Sequence, residues 1–324
     1  MLNRRSLLRG TLALSAGSVV PSSLWAAERP AFRLYDTHAH FYTSDTARYP
    51  LNTAGARNDS DQMIAKAMAS PMTPEAVFKL WDEAGVELGC GVQYNSTYGT
   101  DNSYLLDVAA QHPERIVPVV ILSPIDPATP ATLRRMTAGN QISGVRFTGS
   151  PNAEGEYVFL SAAAEGAWQA ANELGLAVVL MPGSEKAPMA MKLIAEFADR
   201  YPNVNIVVDH IGLPRAEISD TFGLSPEHLA LAEHSNVYYK YTTLLIEHLH
   251  AAAVPAEDFL QYAVEVYGAD HMVWGSDVGN SEGDFLTFVG HALESASGLS
   301  LGQQQAIFHD TAKAVFIPGG KSTG

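Results

Sequence analysis

From Arg33 to the C-terminus one pattern recurs eight times: a short apolar run rich in β-branched residues, then a stretch with the apolar spacing of an amphipathic helix. The runs predict strands at Leu34–His40, Val86–Tyr94, Ile116–Ser123, Ser143–Thr148, Ala177–Met181, Asn205–His210, Val237–Tyr241 and Met272–Asp277. Helices are expected at Pro74–Glu83, Tyr104–Gln111, Pro130–Ala138, Ala162–Leu174, Pro188–Tyr201, Pro226–His234, Ala256–Tyr267 and Asp284–Ser297, with a last one at Gly302–Val315. Gly85, Gly175 and Gly268 stand where helices end, and Thr73-Pro74 and Ser225-Pro226 where helices begin. A strand that is followed each time by a helix returns parallel to its predecessor, so eight units in about 290 residues predict an α/β fold, a single (β/α)8 TIM barrel. A doubly wound sheet is the competing arrangement.

Composition narrows the functional classes. Of 324 residues, 47% are hydrophobic and 17% charged, an ordinary globular balance. The formal charge of −15, with no basic run, argues against nucleic acid and anionic membrane surfaces as partners. The single cysteine, Cys90, lies in an apolar run and reads as a small buried hydrophobe. Residues 1–27 have a charged start, a short apolar middle and small residues before a cleavage point, a targeting segment too short to span a membrane. Within it, Arg4-Arg5-Ser6-Leu7-Leu8-Arg9 resembles a twin-arginine export signal, which implies a periplasmic protein that folds before export. Residues 28–324 then form the barrel domain. Loss of Arg4, Arg5 and Arg9 leaves 17 basic residues against 35 acidic ones.

In a TIM barrel the chemistry sits at the C-terminal ends of the strands. The first run ends Asp36-Thr37-His38-Ala39-His40, and residues two apart on a strand point the same way. His38 and His40 therefore form either a pair of ligands for a divalent metal or a pair of donors over an oxyanion. The sixth run ends in Asp209-His210 and the eighth in Ser276-Asp277. A carboxylate beside imidazoles takes a proton from water, so Asp277 is expected to be the general base, with His210 as a metal ligand or a polariser of the carbonyl. His248-Leu249-His250 has the spacing of the first pair but precedes a helical alanine run, and reads as a solvated face. Arg146, in Gly144-Val145-Arg146-Phe147, would bring a planar cation to the mouth. Ser96 and Tyr98, in the polar turn after strand two, are candidate substrate contacts.

Taken in order, Asp36–His40, Val208-Asp209-His210-Ile211-Gly212, Trp274-Gly275-Ser276-Asp277 and a C-terminal helix near Ile307–Phe316 resemble the amidohydrolase superfamily, in its metal-dependent-hydrolase branch. Gln93–Asn102 and Gly144–Phe147 are closest to the 2-pyrone-4,6-dicarboxylate lactonase group. The resemblance implies a lactone-opening hydrolase in which Asp277 activates water, His38, His40 and His210 assist at the carbonyl, and Arg146 holds a substrate carboxylate. The cofactor it implies is one divalent metal (zinc) on His38, His40, His210 and Asp277, or none.

Two departures qualify it. Metal-binding relatives carry a histidine or bridging lysine at the end of strand five, where this chain has Leu180-Met181-Pro182-Gly183. Thr148–Glu156, after Arg146, holds no base and two acids, which favours a monoanionic or neutral lactone over a dicarboxylate. Lys240, Lys186 and Arg215 are the candidates for further positive charge, Lys240 as a substrate contact. The expected partner is a small-molecule substrate, without nucleic acid or membrane insertion of the mature protein; the resemblance allows a homo-oligomer. Two other readings stand beside the lactonase: a metal-dependent decarboxylase on the same barrel, and a non-catalytic extracytoplasmic binding protein. The long first loop, Phe41–Met72, with Tyr42, Tyr49 and Arg57, is expected to act as a lid.

Overall fold

A computed structural model describes residues 30–54, 60–139, 141–149, 151–152, 155–182 and 187–317. The targeting segment 1–27, Arg57 and Lys186 lie outside the described residues. The eight expected strands form one parallel sheet in the order of the sequence: β1 (Leu34–Ala39), β2 (Val86–Val92), β3 (Ile116–Ile121), β4 (Gly144–Thr148), β5 (Ala177–Met181), β6 (Asn205–Val208), β7 (Val237–Thr242) and β8 (Met272–Gly275). This is the (β/α)8 barrel. Among the described residues no helix is long and apolar enough to cross a membrane.

β8 returns to β1 through side chains as much as through a ladder. Asp36 Oδ1 accepts from Ser276 N at 2.8 Å, Thr37 Oγ1 donates to Trp274 O at 2.6 Å, and His40 N donates to Val278 O at 2.9 Å. Gly275 permits this approach, because a Cβ there would lie 2.7 Å from the His38 Cβ. The seam thus sets the two strands that carry His38, His40 and Asp277 against each other.

Tyr35, Cys90, Val117, Val119, Val179, Val207 and Val273 belong to the inner core, and the C-terminal helix Thr311–Phe316 joins it through Ala312, Val315 and Phe316. Cys90 is buried there, beside the Tyr35 hydroxyl. An outer cluster packs the helices on the sheet. Gly85 and Gly175 close their helices in the left-handed conformation, and Thr73 and Ser225 cap theirs by accepting from Ala76 N and His228 N.

Some boundaries move for physical reasons. β6 ends at Val208 and β8 at Gly275, because His210 (φ 55°) and Asp277 (φ 57°) adopt left-handed backbone. The long first loop holds a helix, Ser60–Ala69, and is tied down: Tyr42 donates to Gly279 O, Tyr49 to Asp107 Oδ2, and Lys66 to Asn280 O. A short helix, Asn95–Tyr98, replaces the polar turn after β2, and His248 and His250 lie on a helix, Thr243–Ala251.

Candidate active site

β1 gives His38 to the barrel axis, and His40 follows it by one residue past the strand end. The two rings meet edge to face with centroids 4.9 Å apart. The turn after β6 gives His210, and non-glycine residues 210, 211 and 213 all have positive φ there. Such backbone costs of order 1–3 kcal/mol per residue and is held by its surroundings. That turn stacks His210 on His38 at 5.3 Å. The same type of kink after β8 turns Asp277 back toward β1, so its Oδ1 lies 3.5 Å from His38 Nε2 and 3.4 Å from His40 Nε2. The four residues proposed from strand ends converge.

Each is oriented by a second contact. His40 Nδ1 lies 2.9 Å from the Val92 carbonyl, an acceptor only, so Nδ1 carries the proton and Nε2 faces the carboxylate. Asp277 Oδ2 accepts from Asn280 Nδ2 at 2.8 Å and Ser281 Oγ at 3.2 Å, which leaves Oδ1 for the histidines. His210 Nδ1 lies 2.6 Å from Thr242 Oγ1, and burial lowers the ring to about 4, so it is neutral at pH 7. His38 is also pushed down, first by burial and then by Lys240.

Asp209, a residue the strand-end reading passed over, is the hub beneath them. Its Oδ2 accepts from Arg146 Nε at 3.0 Å and Nη2 at 2.8 Å, and its Oδ1 pairs with Lys240 Nζ at 2.9 Å. His38 Nδ1 lies 3.5 Å from the same Oδ1 and 3.4 Å from Lys240 Nζ. Lys240 is fully buried and also donates to Thr37 O, which places it under the site and away from the cleft lining. Arg146 borders the cleft but spends its fork on Asp209; Nη2 also reaches Met181 Sδ. Ser96 lines the cleft. Tyr98 does not; it is buried, with its hydroxyl accepting from Thr43 N. Arg215 is exposed.

Two further cleft residues escaped the sequence reading. Tyr94 stacks on His40 at 4.3 Å and donates to Asn280 Oδ1 at 2.9 Å, so Tyr94, Asn280 and Asp277 form one chain of bonds. Tyr94 was visible at the end of an apolar run, but nothing in the sequence shows its stacking. Replacement of Asn280 by alanine removes a charge-assisted bond of about 1.5 kcal/mol, so kcat should fall roughly tenfold with KM within about twofold. Steady-state kinetics check this, and an unchanged kcat would contradict a role in aiming Asp277.

The donor set fits a divalent ion. His38 Nε2 is buried without a hydrogen-bond partner, and ligand atoms of His38, His40 and Asp277 lie within 4.8 Å of one another. If His38 donates from Nδ1 to Asp209, its Nε2 lone pair and that of His40 converge on Asp277 Oδ1, and acceptors so close need a proton or a cation between them. His210 groups instead with His38 and Asp209, but Asp209 is already neutralised by Arg146 and Lys240. At the end of β5, Met181 offers no nitrogen or oxygen ligand.

A barrel with this array at its C-terminal mouth defines a hydrolase class, and the sequence agrees: the Amidohydrolase family model matches residues 35–316, and the chain belongs to that family of enzymes. An L-fucono-1,5-lactonase of Burkholderia ambifaria is 26% identical over 251 residues, 76% of this chain and 80% of that protein. A structure named as a 2-pyrone-4,6-dicarboxylic acid hydrolase of Pseudomonas putida superposes with a TM-score of 0.67 at 24% identity, covering 88% of this chain and 97% of its own. An amidohydrolase of Burkholderia multivorans, solved with bound zinc, gives 0.68 at 19%, covering 88% and 99%. At these identities the two structures show the shared fold.

Proposed function

We propose that this protein is an exported lactonase that opens a neutral or monoanionic lactone with a water activated by Asp277. The observation that carries the reading is the aim of Asp277: Oδ2 is saturated by Asn280 and Ser281, while Oδ1 faces two imidazoles at the cleft. Asp277 takes a proton from water as the water oxygen bonds to the lactone carbonyl carbon. Thr242 Oγ1 already accepts from Leu245 N, so its own proton is available to His210 Nδ1. The neutral His210 then presents Nε2–H to the developing oxyanion. Collapse breaks the ring C–O bond, and the leaving alkoxide receives the proton from Asp277, which returns the carboxylate to its starting state.

His38, His40 and Asp277 would hold a divalent ion such as zinc, which when bound supplies a Lewis acid at the carbonyl. The uncharged or singly charged substrate follows from Asp209, whose carboxylate occupies both Arg146 and Lys240. The L-fucono-1,5-lactonase relative is named for a lactone without a carboxylate, and supports the same class. A panel of sugar 1,5- and 1,4-lactones against 2-pyrone-dicarboxylates, run on metal-free and zinc-supplemented protein, tests this. Hydrolysis of the sugar lactones at least tenfold faster is expected, and turnover of the dicarboxylates alone would overturn the substrate class. Activity that survives complete metal removal would also exclude the decarboxylase reading.

Export rests on Arg4-Arg5. Arg4→Lys/Arg5→Lys should leave the full-length precursor in the cytoplasm when cell fractions are probed; unchanged periplasmic recovery would remove the twin-arginine route.

A further inference from the structure

The turn that carries Asp277 is held from outside itself. Asp277 has a φ of 57° and Gly279 one of 92°, and a non-glycine residue stays in such backbone where its surroundings fix it. Three successive carbonyls of the turn each accept from the chain that runs on from β1: Val278 O from His40 N at 2.9 Å, Gly279 O from the Tyr42 hydroxyl at 3.1 Å, and Asn280 O from Lys66 Nζ at 3.0 Å. Gly279 permits the approach, since a Cβ there would meet His40 O at 2.8 Å. The first two donors stand just past the strand. Lys66 instead reaches in from the helix Ser60–Ala69 of the first loop.

That helix is built to deliver it. Met63 is buried on the same face, three residues before Lys66, and Lys66 itself is half-buried. Burial lowers the pKa of Lys66, and the Glu282 and Asp277 carboxylates oppose that drop, so the ammonium lies in the field of the turn it grips. A hydrogen bond from an ammonium is roughly twice as strong as one between neutral groups. The residue it holds is the one that aims the base: the Asn280 amide accepts from the Tyr94 hydroxyl at 2.9 Å and donates to Asp277 Oδ2 at 2.8 Å. Lys66 does not line the cleft.

We infer that Lys66 is a positioning residue for the hydrolytic step: its bond to Asn280 O sets the turn from Asp277 to Ser281, and through the turn the aim of Asp277, without a contact to the substrate. The helix Ser60–Ala69 thus acts as a strut for the catalytic turn. Its effect on turnover rests on Asp277 being the base, as proposed above; its grip on the turn does not.

Lys66→Met keeps the aliphatic stem and removes the donor. Its kcat should fall about tenfold, the cost of one charge-assisted bond, with KM within about twofold, and Lys66→Arg should recover most of the loss. Tyr49→Phe removes a different anchor of the first loop, the 2.6 Å bond to Asp107 Oδ2, and should leave kcat unchanged. An equal loss in Tyr49→Phe would reduce the effect to general loosening, and a loss carried by KM would make Lys66 a substrate contact; either would overturn the assignment. The grip itself is read without substrate. The amides of Asn280 and Ser281 donate to Asp277 O at 3.1 and 3.0 Å, so their hydrogen exchange should be on the order of tenfold faster in Lys66→Met, with Tm near that of the wild type. Unchanged exchange, or faster exchange with kcat intact, would overturn the proposal. A wild type inactive on every lactone, with exchange still accelerated by Lys66→Met, would overturn the lactonase reading and leave the strut standing. Should Lys66→Met fold poorly, Tyr42→Phe, which removes the adjoining bond to Gly279 O, should show the same split between kcat and KM, and an unchanged kcat there would overturn the proposal as well.

Discussion

Asp277→Asn should fold like the wild type and lose about 10²–10⁴ in kcat on any lactone the enzyme opens, the range expected for loss of a general base. The amide keeps the shape of the carboxylate and can still accept from Asn280 or Ser281, so the left-handed turn that carries it has its side-chain anchors. What it lacks is the charge at Oδ1, the atom opposite His38 and His40. Thermal unfolding and circular dichroism should therefore match the wild type while turnover collapses. Turnover near the wild-type rate would move the base elsewhere, yet Asp209, the buried carboxylate next to the His38 ring, is committed to Arg146 and Lys240. The effect should also be much larger than that of Asn280→Ala, because one removes the proton acceptor and the other only its aim.

The barrel and the ring of histidines at its mouth were legible because both depend on local pattern. A strand end is marked by where the apolar run stops, and the barrel brings such ends together whatever lies between. Arg146 and Lys240 show the limit. Each looks like a cation at a strand, and each was read against the substrate; their partner is a carboxylate 63 residues from one and 31 from the other, in the turn that follows β6. Asp209 itself was hidden by His210 beside it, since alternation along a strand would send the two side chains to opposite faces. The left-handed turn after Val208 breaks that alternation and lets both reach the site. Asn280 was invisible for a similar reason: its contact with Asp277 exists only because the chain reverses at Asp277. The His248/His250 motif, with the spacing of the true pair, diverges because it lies on a helix, where residues two apart do not share a face.

Asp209→Asn should be the most destabilising single change at the site, at about 3–5 kcal/mol, because it leaves two buried cations without their shared counter-ion. That is a large share of the 5–15 kcal/mol typical of a folded domain, so the variant should unfold roughly 5–10 °C lower or fail to accumulate. Adding Lys240→Met removes one of the orphaned charges and should recover a substantial part of the loss; no recovery would mean that Asp209 acts through something other than its ion pairs. The pH dependence separates Asp209 from the histidines. Burial raises the Asp209 carboxyl, but Lys240, Arg146 and His38 outweigh it and hold it well below the ordinary value. A carboxylate depressed in the folded state contributes its stability above the unfolded value of about 4 and loses it only as pH falls through the lower folded value. His210 has a folded value of about 4 against an unfolded one of about 6.5, so there the unfolded chain takes up the proton first and stability falls as pH drops from about 6.5 to about 4. Acid unfolding of the wild type should therefore begin with the buried histidines, and the Asp209 pairing should add its loss only below about pH 4. In Asp209→Asn/Lys240→Met the first phase should persist and the second should shrink. A double variant whose stability stayed level between pH 6.5 and 4 would show that the ring stacked on His38 is already charged in the folded protein, and would take from His210 the neutral Nε2–H that the hydrolytic step requires.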